Sequence, residues 1–142
     1  MQKNKVGAIN FANLNEHIAR LIASNPPLVD LTEALVDIPE VVALLERAEF
    51  KALFGWGWSV MDRILDTFRL SRYEAAMALG LGSKYSRLKD VRNDTVHEGY
   101  VPTLTNAKEM LLLIRETVLA ITRIDADWLA GLESQRNQVA GR

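Results

Sequence analysis

Arg92, Asn93 and His97 are the residues of this 142-residue sequence whose types and spacing can do chemistry. An arginine carries a fixed planar fork of donors that grips an oxyanion at two points, and a histidine changes charge near neutral pH. Asn93 can hydrogen-bond the backbone, orient His97 or hold an anionic oxygen. Cysteine is absent, and the second histidine is His17. That composition removes disulfides and thiolate nucleophiles and makes a histidine-rich zinc or iron site hard to build, while a carboxylate-held Mg²⁺ stays open. His17, with no second histidine or cysteine near it, reads as a surface or packing residue of its helix.

The element that must position the set is a helix opened by Ser83. Tyr85, Leu88, Arg92 and Val96 fall on it at i, i+3, i+7 and i+11, which places Arg92 on the apolar stripe. A guanidinium is seldom buried without a partner. Arg92 therefore pairs with an acid, with Asp62 or Asp66 as the candidates for a structural ion pair, or lines a cleft, or faces another subunit. His97 follows near the helix end, where Gly99 can take the left-handed conformation that stops a helix. Positions i and i+5 lie about 140° apart on an ideal helix. A fraying last turn lets His97 swing toward the long Arg92 side chain, so the two are expected to share a cleft.

The remaining sequence reads as further helices. Val6, Ile9, Leu14, Ile18, Leu21 and Ile22 have approximate helical spacing, ended by Ser24-Asn25-Pro26-Pro27. After a short helical turn at 31–38, Pro39 suits a first helical position, followed by Val41, Val42, Leu44, Leu45 and Ala48. Gly55-Trp56-Gly57-Trp58 interrupts the pattern: the glycines break the helix or admit a neighbouring backbone, and the tryptophans fill the core or form an exposed base-stacking pair. Trp58, Met61, Leu65 and Phe68 make one apolar stripe on a helix to about Leu70, with Asp62 and Asp66 on a neighbouring face. Ser71 and Glu74 form a capping box for a short helix that fades at Gly80 and Gly82.

A last long helix starts near Asn106, whose spacing to Glu109 suits a cap. Its apolar set, Met110, Leu111, Leu113, Ile114, Val118, Ile121, Ile124 and Trp128, is wide enough to touch several neighbours. The tail from Ser134 has no core pattern and is expected to fray. No stretch alternates like a strand. The expected architecture is all-α, an antiparallel four- or five-helix bundle in one domain over residues 1–142.

With 49% hydrophobic and 25% charged residues the chain lies far from the composition of disorder. A net charge of −1 makes the whole protein no electrostatic magnet, but the charge is uneven. Residues 30–50 hold six acids against Arg47, whereas 51–92 hold eight Lys or Arg against four acids, Lys84, Arg87, Lys89 and Arg92 among them. Solvated helix faces would carry the same pattern. The start, MQKNKVGAIN, lacks a signal-peptide core, and the apolar run 110–114 is far short of a membrane span, so a cytoplasmic location is expected.

Arg92-Asn93-Asp94-Thr95-Val96-His97 resembles the signature of HEPN domains, named for higher eukaryotes and prokaryotes nucleotide-binding. An Arg-Asn pair with His five residues after the Arg arises by chance in about one in a hundred chains of this length. The motif lies late in a helical chain, is followed by Glu98-Gly99-Tyr100-Val101-Pro102 and leads into a long apolar helix, as in many members. The resemblance covers about residues 84–124; the earlier helices agree only in kind.

What the resemblance implies is a compact helical bundle, often a homodimer with the motif at the interface cleft. Many members are metal-independent endoribonucleases of toxin–antitoxin, phage-defence or RNA-processing systems and need no cofactor. Others are non-catalytic binding or scaffolding modules that pair with an enzyme or antitoxin. Arg92, Asn93 and His97 are then the catalytic set, with Lys84, Arg87 and Lys89 as RNA contacts.

RNA brings its own nucleophile, the 2′-hydroxyl. Cleavage therefore needs a proton acceptor, a donor for the leaving 5′-oxygen and positive charge on the transition state. Asp62 and Asp66 could supply the acidic or polar helper that some members carry on an earlier helix. In a subgroup whose antitoxin is a nucleotidyltransferase, the modified Tyr lies two residues after the His. Here Gly99 holds that position and Tyr100 follows it.

Overall fold

The computed structural model describes residues 14–24, 29–68 and 70–140, in which six helices and no strand occur. They are α1 (Leu14–Ser24), α2 (Ile38–Glu46), α3 (Phe50–Leu65), α4 (Arg72–Ala78), α5 (Gly82–His97) and α6 (Leu104–Ala140). The count exceeds the four or five expected because tight reversals separate short helices. Between α2 and α3, Ala48 adopts φ 57° and the Glu49 N–H returns to the Leu44 carbonyl at 2.9 Å. Between α4 and α5, Gly80 at φ 78° lets the Leu81 N–H reach the Ala76 carbonyl at 2.9 Å. Val6 and Ile9 of the first apolar set lie outside the described residues.

One core joins these helices. Val41 and Leu44 of α2, Leu53, Phe54, Met61 and Ile64 of α3, Leu88 of α5 and Met110, Leu111, Ile114 and Val118 of α6 are buried together. Each such side chain contributes about 1.5–3 kcal/mol relative to exposure. The wide apolar surface of α6 serves α1, α3 and α5 at once. It narrows at Ile124, which is exposed, while the Trp128 side chain lies outside the described residues. The helix runs past Ser134 to Ala140 instead of ending where the core pattern ends.

Several local expectations are corrected. Helix α3 continues through both glycines. A Cβ on Gly57 would stand 2.9 Å from Met110 Cγ, so this glycine admits a side chain of α6, not a backbone. The tryptophans part company: Trp58 is buried and stacks on Tyr85 at 5.1 Å between ring centroids, whereas Trp56 is exposed. They form no stacking pair. Helix α3 stops at Leu65, and Phe68 reaches the core from the following turn. The Ser71–Glu74 capping box is present as read. Ser83 does not cap α5, because the Gly80 reversal leads directly into a helix that begins at Gly82. Thr103 caps α6: its Oγ1 accepts from the Asn106 N–H at 3.1 Å while Asn106 Oδ1 accepts from the Thr103 N–H at 2.9 Å. Asn106 thus holds the third position of the box rather than its cap. Among the described residues, no helix is long and apolar enough to cross a membrane.

Candidate active-site cleft

Helix α5 buries Tyr85, Leu88 and Thr95, while Val96 is 57% exposed. Thr95 can replace Val96 on the inner face because its hydroxyl donates to the Val91 carbonyl at 2.8 Å and so enters the interior satisfied. Arg92 lies on this face, half-buried, beside a cleft of about 450 Å³ between α3 and α5. Phe54, Trp58 and Val96 give the cleft its apolar wall, and Lys51, Ser59, Asp62, Arg92 and Thr95 line it with polar groups. Gly55 also lines it, and a Cβ there would meet nothing within 4 Å. A glycine inside a helix costs about 1 kcal/mol relative to alanine. Packing accounts for Gly57 and leaves Gly55 as an opening in the wall.

The charges are arranged around Arg72. Its Nη1 lies 3.2 Å from Asp62 Oδ2, and its Nε and Nη2 donate to the two oxygens of Asp66, each at 2.9 Å. The ion pair open to Arg92 from the sequence is therefore made by Arg72. Arg92 has no carboxylate within ion-pair distance among the described residues, and its Nη1 donates to Asn93 Oδ1 at 3.3 Å. Asn93 itself is half-buried.

Burial pushes the Asp62 carboxyl above the ordinary carboxylate range against the attraction of Arg72; the charge of Asp66 adds to the rise, and Arg92 and Lys89 oppose it. Asp62 Oδ1 is buried with no protein donor, a state that costs about 1–3 kcal/mol unless a donor arrives. The exposed Asp66 is held below the ordinary range by its hydrogen bonds from Arg72.

His97 ends α5 exposed and outside the cleft. The last turn is closed, not frayed: the Asp94 carbonyl accepts from the Glu98 N–H at 2.9 Å and the Tyr100 N–H at 3.1 Å, with Gly99 at φ 71°. Arg92 and His97 thus keep their separation of about 140° around the helix and are not brought into one cleft within the chain. The Tyr100 hydroxyl donates to Asn106 Oδ1 at 2.9 Å, which fastens the connection to α6. Lys84 pairs with Glu116 at 2.6 Å and Arg87 with Glu109 at 2.8 Å, whereas Lys89 is exposed and has no ion pair among the described residues.

Lys51 and Ser59 joined the cleft without being singled out from the sequence, where Gly55 reads as a break or a point of close approach. A signal existed, since Lys51, Gly55, Ser59 and Asp62 recur at i, i+4, i+8 and i+11 on α3. It disappears once the two glycines are read as an interruption. No three His, Asp or Glu side chains gather as a metal-ligating set among the described residues. No family model matches the chain, nor does any curated protein or solved structure.

Proposed function

We propose that this chain is a metal-independent endoribonuclease of the HEPN type that cleaves RNA to a 2′,3′-cyclic phosphate and a 5′-hydroxyl, in a toxin–antitoxin or phage-defence setting. The observation that carries the reading is Arg92: a half-buried guanidinium, in an Arg-Asn-x-x-x-His sequence, that lines a cleft and makes no ion pair among the described residues, the Asp62 of that cleft being paired with Arg72. In the reaction the 2′-oxygen attacks phosphorus as its proton passes to a base, the bond to the 5′-oxygen breaks, and that oxygen takes up a proton. Arg92 holds the phosphate oxygens as charge develops, and His97 moves a proton.

One His cannot serve as base and acid in a single concerted step, so the second proton carrier is water or the His97 of a second copy. Exposed Val96, Tyr100 and Val101 beside His97 give a second copy apolar surface to bury and support a homodimer. Incubation of the purified protein with structured and unstructured RNA in EDTA should give cyclic-phosphate ends, with none from His97→Ala. Cleavage that persists in that variant, or that requires Mg²⁺, overturns the mechanism. Light scattering at micromolar concentration should report a dimer; a monomer would remove the two-fold cleft.

The position of His97 outside the cleft favours one alternative, a non-catalytic HEPN module that binds RNA or a nucleotide and partners an antitoxin or enzyme. Binding without cleavage in the same assay would select it. A nucleotidyltransferase partner is not specifically favoured, since Gly99 stands where the modified Tyr would be and the Tyr100 hydroxyl is engaged by Asn106.

A further inference from the structure

Charged residues of three helices decide what Arg92 meets. Arg72 is the first residue of α4, whose start is fixed by the Ser71–Glu74 capping box. From there its Nε and Nη2 grip the two oxygens of the exposed Asp66, each at 2.9 Å, and its Nη1 is left to reach Asp62 Oδ2 at 3.2 Å. Asp62 and Arg92 line the same cleft, one from α3 and one from α5. Burial pushes the Asp62 carboxyl up and the charge of Arg92 draws it back, so the two groups sense each other. Asp62 Oδ1 is buried, which leaves Oδ2 as the oxygen a cation can take, and Arg72 holds it.

A largely buried carboxylate stripped of its cation is strongly unfavourable, and Asp62 without Arg72 would draw the next cation in reach. Arg92 is that cation. Lys89 also acts on Asp62 but lies exposed and outside the cleft lining. Lys51 lines the cleft, yet it stands eleven residues before Asp62 on α3, about 16 Å along the helix. We propose that Arg72 is a positioning residue: from α4 it occupies Asp62, keeps that carboxylate from closing on Arg92, and so leaves the Arg92 guanidinium open to a phosphate. The proposal rests on RNA as the ligand, as read above, and adds the residue that keeps the site charged.

Arg72→Gln should weaken binding of a short fluorescein-labelled 2′-O-methyl RNA, which lacks the attacking hydroxyl, by about tenfold or more, because one charge-assisted contact is lost. Asp62→Asn in that background should recover most of the loss. Asp66→Asn makes the same change in net charge there but should recover little, since Asp66 lies outside the cleft. A merely structural Arg72 would give no recovery from Asp62→Asn, and a net-charge effect would give equal recovery from both.

Melting temperatures read the same pairing without RNA. The shifts caused by Arg92→Gln and Asp62→Asn should nearly add in the wild-type background and fail to add in Arg72→Gln, where the two residues would be paired. If Arg72→Gln melts too low to titrate, Arg72→Lys weakens the hold on Asp62 while keeping a cation beside it, and the same comparisons decide. Additive shifts in both backgrounds, undiminished RNA affinity in the Arg72 variant, or equal recovery from Asp62→Asn and Asp66→Asn would each overturn the proposal. Non-additive melts with no RNA bound by wild type keep the role of Arg72 and remove the RNA reading; RNA bound equally by wild type and Arg72→Gln does the reverse.

Discussion

Toward its start α5 carries Lys84 and Arg87, each drawn to a carboxylate of α6, whereas Lys89 and Arg92 further along make no ion pair among the described residues. Cations of one helix thus meet opposite treatment within little more than two turns. Where α5 lies along α6, Glu109 and Glu116 turn positive charge into a brace between helices. Where it faces α3, the acids that could have done the same are occupied by Arg72 from α4. Arg72 is the residue that maintains the difference, by occupying Asp62 and Asp66.

The largest effect should come from the unpaired cations. Arg92→Lys keeps the charge and loses the two-point grip, so RNA cleavage should fall by about tenfold or more. Stability should change by less than about 1 kcal/mol, because no ion pair is broken. Combining it with His97→Ala should be little worse than either change alone, as expected of groups that act as one unit. A clear drop in melting temperature for Arg92→Lys would show that Arg92 is structural and erase the contrast. A smaller effect belongs to Lys89→Ala. It should weaken RNA binding at every sequence and lower the salt slope of the binding constant by about one, measured by titration across ionic strengths.

Smaller again is the cost of keeping Asp62 charged. Its carboxyl sits above the ordinary range, so between the unfolded and folded values the native state binds more protons and stability declines as pH rises through that window. Asp62→Asn should therefore melt no lower than wild type at pH 7, and its relative advantage should shrink as pH falls toward the ordinary carboxylate range. A variant that melts well below wild type at pH 7 would mean that Asp62 is a net stabiliser. Least affected should be Lys84→Ala and Arg87→Ala, each costing about 0.2–1 kcal/mol, as exposed pairs do. Their RNA binding should match wild type; a loss equal to that of Lys89→Ala would make the paired and unpaired cations of α5 alike.

The contrast was partly legible in the sequence. Helical periodicity identified the class of fold, the capping box at Ser71 and the inward placement of Arg92, because these depend on residues within a few positions of one another. Which acid Arg92 would meet depended on α4, whose seven residues carry Arg72 to Asp62 and Asp66 across a turn. Spacing along α5 could not report that. The glycines misled for a similar reason: local propensity lowers helix content at both, yet Met110 of a distant helix fills the gap at Gly57 and the flanking residues hold the helix through Gly55. Arg92 and His97 were expected to meet through a frayed end, and backbone hydrogen bonds beyond the motif close that end.

That closure sets a clock as well as a position. The Asp94 carbonyl receives the amides of both Glu98 and Tyr100, and Asp94 lies between the arginine and histidine of the motif. An opening that unwinds the turn at Asp94 exposes both amides at once, and hydrogen exchange at Glu98 and Tyr100 reads it as matched rates. Because Thr95, Val96 and His97 lie between Asp94 and the first of these donors, loss of both bonds would free the turn that carries the imidazole to sample another orientation.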